Sequence, residues 1–253
     1  MIRTANPALS DAIFTNAGSP PSAQGVMTLN GTINKTGLLL MATILTAAWS
    51  FDQSYQPGLR SGEALFVPSI WLAVGGIGGF ILALITTFKK TWSPVTAPLY
   101  ALLEGLFLGS VSAGFEARYP GIVMQAIFGT FGTLFALLAA YRSGLIKATE
   151  NFKLGVAAAT GGIFLVYMLS FILGFFGITM PFIHDSGPMG IAVSLFVVVV
   201  AALNLVLDFD FIENGEKMGA PKYMEWYAAF GLLVTLVWLY IELLRLLAKL
   251  KDR

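Results

Sequence analysis

The stretch MGIAVSLFVVVVAALNLVLDFDFI, residues 189–212, decides the fold of this chain. It is long enough to cross a bilayer, because a spanning helix needs about 20 mostly apolar residues. No charged side chain interrupts it before Asp208, and a second acid, Asp210, follows two residues later. The sequence therefore predicts a membrane-spanning helix that carries two aspartates at one end. Their task has to be inferred from the rest of the chain.

The composition of the chain favours the same class of protein. Of 253 residues, 57% are hydrophobic and 11% are charged, whereas a soluble domain carries about 25% charged residues. Such a chain cannot cover a water-exposed surface, so we expect an integral membrane protein with the lipid bilayer as its partner. The net charge of +1 leaves no basic surface for nucleic acid. With no cysteine and one histidine, His184, the chain cannot form a thiolate or His-rich metal centre.

Seven apolar windows predict the architecture. They cover residues 37–51, 64–88, 95–115, 122–141, 154–178, 189–212 and 223–250. The first is short for a span unless residues 29–36 extend it. Short connections favour a single seven-helix transmembrane domain over residues 31–253, an all-α integral membrane fold. Residues 1–30 are polar, small and contain Pro and Gly, which predicts a flexible tail without a signal peptide.

Glycine spacing predicts close packing between these helices. Gly75 and Gly79 have GxxxG spacing, and so do Gly105 and Gly109. Small residues allow two backbones to approach in lipid, where no hydrophobic effect drives helices together.

The basic residues predict the orientation. Lys and Arg concentrate at the N-terminal side and in the connections after the second, fourth and sixth windows. The side richer in Lys and Arg is normally cytoplasmic, so we expect a cytoplasmic N-terminus. The basic C-terminus disagrees, since seven spans place it outside. Either the rule fails at the last helix or that helix is re-entrant, and we favour seven full spans.

Ionisable residues at membrane depth are the candidate functional residues, because each costs at least a few kcal/mol. Glu104 lies mid-window, one turn after Tyr100. It is either a protonated acid bonded to a neighbouring helix or an ion or proton ligand. Glu242 and Arg245 are three residues apart, which allows an intrahelical ion pair near the interface. His184, beside Asp185 in a loop, is expected to be solvated.

The two aspartates of residues 189–212 do not share a helical face. Two residues correspond to about 200° of helix, so Asp208 and Asp210 point in different directions. Asn204 precedes Asp208 by one turn and extends a polar stripe inward. We therefore expect Asp208 to be the functional acid and Asp210 to be an interfacial one.

Three stretches of the chain together resemble one family. YAAFGLLVTLVWLYIELLRLL, residues 227–247, resembles the last helix of the Bax inhibitor (transmembrane Bax inhibitor motif, YccA-like) family. VLDFDFI, residues 206–212, resembles the D-T-Q-x-I that ends its sixth helix, and LLEGLFLG, residues 102–109, its E-G-x-x-x-G. The three stretches occur in the family's order within residues 36–250, and the chain as a whole resembles the bacterial members of the family. The resemblance implies seven helices with the last one central, and a pH-sensitive calcium leak.

The resemblance also implies site residues. The family's pH sensor pairs a carboxylate on the sixth helix with one on the seventh, and the first falls on Asp208. The second falls on Thr235, which cannot titrate. Glu242, two turns further and about 10 Å along the helix, is one candidate substitute, and Glu104 is another. The family's basic partner on the second helix is also missing, because residues 64–88 carry no charged side chain.

These observations predict a pH-sensitive cation (calcium) leak channel gated by protonation of intramembrane carboxylates. Two carboxylates close together in a low dielectric cannot both ionise cheaply, so one keeps its proton until higher pH. Protonated acids can hold helices together, and ionised acids repel or bind a cation. Oxygen ligands suit Ca²⁺, so weak calcium binding is expected and no other cofactor.

Two other functions stay open. One is a proton-coupled transporter, and the other is a regulatory membrane protein that modulates a membrane protease or a stress response, with an unidentified protein partner. An enzyme is not expected, because the sequence holds no Ser/His/acid set and no HExxH spacing. The expected location is the bacterial inner (plasma) membrane.

Overall fold

The computed structural model of the protein describes residues 25–56, 65–67, 69–177 and 185–252. Within these ranges the chain forms seven α-helices: α1 Leu29–Ser54, α2 Ile70–Phe88, α3 Ser93–Arg118, α4 Ile122–Arg142, α5 Glu150–Phe175, α6 Pro188–Lys217 and α7 Met224–Lys251. A 3₁₀ turn, Lys90–Trp92, precedes α3. Two short strands, β1 Tyr55–Gln56 and β2 Leu65–Phe66, pair antiparallel. The all-α, seven-helix fold predicted from the sequence is confirmed, and His184 lies outside the described residues.

Six of the helices, α2 to α7, are long and apolar enough to cross a membrane. Among them α7 is the most buried and α5 the least, in keeping with the central last helix that the sequence predicts. Helix α1 has 26 residues, which is long enough for a span, but polar side chains such as Asn30, Asn34 and Lys35 make its first half less apolar. The extension of the first window back to residue 29 is confirmed.

The start of α1 is anchored. Thr28 is its N-cap, and the Thr28 side chain accepts a hydrogen bond from the Gly31 amide. The Met27 amide donates to the Ala220 carbonyl over 2.7 Å, and the Met27 side chain is buried. The boundary predicted after residue 30 therefore falls inside α1, because capping and backbone pairing order the chain from residue 25 onward. Residues 1–24 lie outside the described residues.

The chain divides into two compact units. Of the described residues, those within Ala17–Val123 and Ile212–Val234 form the N-terminal unit. Those within Met124–Phe211 and Thr235–Arg253 form the C-terminal unit. Because the boundaries fall within α6 and α7, each unit contains part of both helices.

In the N-terminal unit, α3 packs against α1 and α2 through glycines. A side-chain carbon added at Gly105 would collide with the Thr43 carbonyl of α1, and one at Gly109 with the Ala47 carbonyl. A carbon added at Gly75 of α2 would lie 2.5 Å from a backbone nitrogen of α3. The packing predicted from the GxxxG spacing is thus confirmed, since only glycine permits these approaches.

In the C-terminal unit, an apolar cluster joins α5, α6 and α7. Its centre is formed by Ile163, Val197 and Val200, and the residues packed around it are Ala159, Tyr167, Val193 and Trp238. The β-branched side chains lose little conformational freedom on burial because their χ1 angles are already restricted. This cluster fixes the rotation of α5, and therefore determines which of its side chains face α6 and α7.

Candidate functional site

Asp208 is buried in the C-terminal unit, with 2% of its surface exposed. The Thr235 side chain of α7 hydrogen-bonds its carboxyl group. The other carboxyl oxygen, Oδ2, has no hydrogen-bond partner among the described residues. An ionised carboxylate without partners is costly away from water. The geometry at Asp208 therefore suits a group that holds a proton or receives water or a cation.

Asn204, one turn before Asp208, continues this polar contact to α5. Its amide nitrogen donates to the Thr160 hydroxyl and to the Val200 carbonyl, each over 2.8 Å. The polar stripe of Asn204 and Asp208 that the sequence predicts is present and faces inward. Thr160 was not anticipated, because a lone threonine in an apolar window carries no distinguishing signal.

Thr235 lies where the family resemblance places the second carboxylate, and the structure puts it in contact with Asp208. The pairing between the sixth and seventh helices is therefore present here as a carboxyl group and a hydroxyl group. A hydroxyl can donate to a carboxylate or accept from a carboxylic acid, so the contact suits either protonation state of Asp208.

Glu242 forms a separate cluster, two turns along α7 from Thr235. Arg245 donates to its Oε1 over 3.0 Å, which confirms the predicted intrahelical ion pair. The Tyr167 hydroxyl of α5 lies 3.3 and 3.2 Å from the two carboxylate oxygens. Glu242 is 1% exposed, whereas the Arg245 side chain is 47% exposed. Glu242 thus binds Tyr167 and Arg245, whereas Asp208 binds Thr235.

Asp210 pairs with Lys153, which the sequence had assigned to the loop before the fifth apolar window. Its carboxylate lies 2.8 Å from Lys153 Nζ, which is also 3.4 Å from Glu150. Lys153 is buried in the first turn of α5, and Asp210 is therefore more than a solvated interfacial acid. Asp208 and Asp210 contact different helices, as helical geometry predicted.

Glu104 lies in the N-terminal unit and is 8% exposed. Its hydrogen-bond partner is Tyr100, one turn earlier on the same helix. Gly79 of α2 leaves space beside it, since an added side-chain carbon there would lie 3.1 Å from Glu104 Oε2. The sequence had suggested a hydrogen bond from Glu104 to a neighbouring helix. The structure instead bonds Glu104 to Tyr100, a residue of the same helix, α3.

Glu225 is a buried acid that sequence reasoning missed. It lies in the first turn of α7 and belongs to the N-terminal unit. Its Oε1 accepts from the amide and the hydroxyl of Thr28, each over 2.9 Å. Lys222 approaches to 2.7 Å, and Lys35 of α1 forms a second ion pair. Lys222, three residues earlier, was the available signal, but the partners in α1 are nearly the whole chain away.

No group of three or more His, Cys, Asp or Glu side chains is arranged to hold a metal in the part of the chain that the structure describes. The four buried carboxylates described above, those of Asp208, Glu242, Glu104 and Glu225, each contact hydroxyl or basic side chains. A calcium ion at Asp208 would meet one acidic group and the Thr235 hydroxyl that bonds it.

The fold and these buried acids define a multi-pass helical membrane protein with isolated carboxylates on its inward faces. The family described as Bax inhibitor 1 like matches residues 6–252, nearly the whole chain. The chain therefore belongs to the Bax inhibitor 1 like family. A search of the curated proteins found no match.

Proposed function

We propose that this protein is a pH-sensitive cation (calcium) leak channel of the Bax inhibitor type, gated by protonation of Asp208. The supporting observation is a buried carboxyl group between α6 and α7 with one oxygen unpartnered. Membership of the family supports the same proposal. A fully bonded acid would favour a packing role, whereas an unpartnered one favours exchange of protons or cations.

In the proposed cycle the protonated state is closed. Neutral Asp208 bonds to Thr235 and carries no charge to attract water or a cation, so α6 and α7 stay in contact. Loss of the proton leaves a charge that one hydroxyl cannot compensate. Water or a cation then enters between the helices, and the oxygen atoms of Asp208 and Thr235 offer hard ligands to Ca²⁺. One charge makes the binding weak, which suits a leak.

The location and orientation are part of the proposal. We place the protein in a bacterial inner membrane with a cytoplasmic N-terminus, because Lys and Arg concentrate on that side. We assign it no enzymatic reaction and no tightly bound cofactor.

The test uses purified full-length protein in liposomes that contain a calcium indicator. We expect calcium influx to rise with pH in the wild type and to become independent of pH in Asp208→Asn, which keeps the shape of the side chain. Glu213→Gln, an exposed surface acid of α6, serves as the control. A wild-type pH profile in Asp208→Asn would refute the role of Asp208. No flux from correctly folded wild type would refute the channel, and a stable protein partner on pull-down would then favour the regulatory function.

A further inference from the structure

Helix α5 carries three polar side chains on its inward face. Lys153, Thr160 and Tyr167 follow one another at intervals of seven residues, so they lie on one side of the helix, about 10 Å apart. Many of the other large side chains of α5 are apolar and exposed, as expected on a surface that faces lipid: Leu154, Phe164, Leu165, Val166, Met168, Leu169, Phe171, Ile172 and Phe175. A polar face on the least buried span requires an explanation.

Each of the three side chains contacts a polar partner on another helix. Lys153 binds Asp210, Thr160 binds Asn204, and Tyr167 binds Glu242. The first two contacts show that α5 and α6 run antiparallel, because the partner number falls as the α5 number rises. All of these residues belong to the C-terminal unit.

Asp208 and its unpartnered oxygen lie between the Lys153 and Thr160 levels of this series, because Asp208 is two residues from Asp210 and four from Asn204 on α6. Asn204 is one turn from Asp208 and binds Thr160. Thr235, which binds Asp208, precedes Glu242 by seven residues, as Thr160 precedes Tyr167. The contacts of α6 and α7 therefore match the spacing on α5. The polar groups therefore form a series past the candidate sensor, in which the apolar cluster of Ile163, Val197 and Val200 separates the Thr160 contact from the Tyr167 contact.

The series extends across most of a bilayer. Glu150, beside Lys153, has a 62% exposed side chain, and Arg245, beside Tyr167, a 47% exposed one. Residues 150–167 correspond to about 26 Å of helix, compared with about 30 Å for the hydrocarbon core. The basic side chains at the two ends differ in exposure. The Lys153 side chain is buried and paired with Asp210, whereas that of Arg245 is 47% exposed.

We propose that α5 lines the cation path past Asp208, and that Lys153 closes one end of it as a tethered cation bound to Asp210. This inference rests on the proposed function and identifies the residue that limits its conductance. The Lys153 ammonium group occupies the position that a passing cation would take beside Asp210, and it repels other cations there. Neutralising Lys153 removes that repulsion and leaves the Asp210 carboxylate to attract cations.

The first test measures calcium flux in the liposomes described above. We expect Lys153→Gln to raise the flux at least tenfold, because glutamine keeps a hydrogen-bond donor for Asp210 but not the charge. Lys153→Arg, which keeps the charge, is expected to raise the flux less than Lys153→Gln does. Lys147→Gln, which removes an exposed charge just before α5, is expected to stay within twofold of the wild type. A Lys153→Gln flux at or below that of the wild type, in folded protein, would overturn the proposal.

A second test needs no flux. The chain contains no cysteine, so single cysteines can be labelled in the full-length protein with a charged, membrane-impermeant thiol reagent. We expect Thr160→Cys to react, and at least tenfold faster when Lys153→Gln is present. Gly161→Cys, the depth-matched neighbour in open space outside the helix packing, is expected to stay unreactive in lipid.

The two tests separate the two proposals. An unreactive Thr160→Cys in both backgrounds overturns the path along α5, even if the wild type conducts calcium. A reactive Thr160→Cys in a protein without calcium flux supports the polar path and refutes the leak function.

Discussion

Replacing Thr235 by aspartate changes the number of titrating groups at the proposed sensor from one to two. In the wild type, the side chain that hydrogen-bonds Asp208 is that of Thr235, which does not ionise at physiological pH. A single carboxyl group changes its deprotonated fraction by at most tenfold per pH unit. The wild-type flux is therefore expected to follow one transition with a Hill slope of about 1.

The magnitude expected for Thr235→Asp follows from the contact between the two side chains. Groups that hydrogen-bond directly place two carboxylates about 4 Å apart, where two like charges repel by about 4 kcal/mol at an effective dielectric constant of 20. One pH unit corresponds to 1.36 kcal/mol, so the two protons should leave about three pH units apart. Strongly coupled acids titrate in such separate steps.

The assay is calcium influx into liposomes over a wide pH range, with Thr235→Asn as the control of matched size that cannot ionise. We expect Thr235→Asp to show two transitions and Thr235→Asn to keep one. A wild-type Hill slope near 2 would refute the reasoning, because a second acid would then titrate with Asp208. A single, unshifted transition in Thr235→Asp would place the gate elsewhere.

Three further predictions concern stability and the other acids. Glu225→Gln should lower the free energy of unfolding by about 2 kcal/mol, because it weakens charge-assisted hydrogen bonds in a buried site. The control Glu213→Gln should change that free energy by less than about 0.5 kcal/mol. Denaturation in detergent measures both variants. Gly109→Ala should lower the melting temperature because its new carbon meets backbone, and Gly161→Ala should raise it because open space lets the helix gain about 0.5–1 kcal/mol. Glu242→Gln should keep the single pH transition of calcium flux, and loss of that transition would make Glu242 the sensor.

Much of the fold could be predicted because membrane insertion acts on local sequence. Each span is a run of apolar residues, and residues 189–212 predict one span independently of the rest of the chain. The different directions of Asp208 and Asp210 follow from helix geometry alone. The GxxxG pairs predicted close contacts because the absence of a side chain is itself the signal.

The partners of the buried groups could not be predicted in the same way. Glu225 and Thr28 are 197 residues apart. Lys153 precedes the predicted window 154–178 by one residue, so the sequence assigned it to a loop. In both cases the contact depends on how two helices are rotated and shifted against each other. Those quantities are set by the packing of both partners and not by either segment.

The sequence by itself determined the class of protein, the positions of the helices and the identity of the acids at membrane depth, because hydropathy and helical periodicity are local properties. The tertiary structure decided that Thr235 faces Asp208, that Lys153 turns inward to Asp210, and that Glu242 binds Tyr167. The physical reason is that a buried polar group takes whichever partner the packing brings within hydrogen-bond distance. That packing depends on apolar and small side chains elsewhere on the same helices.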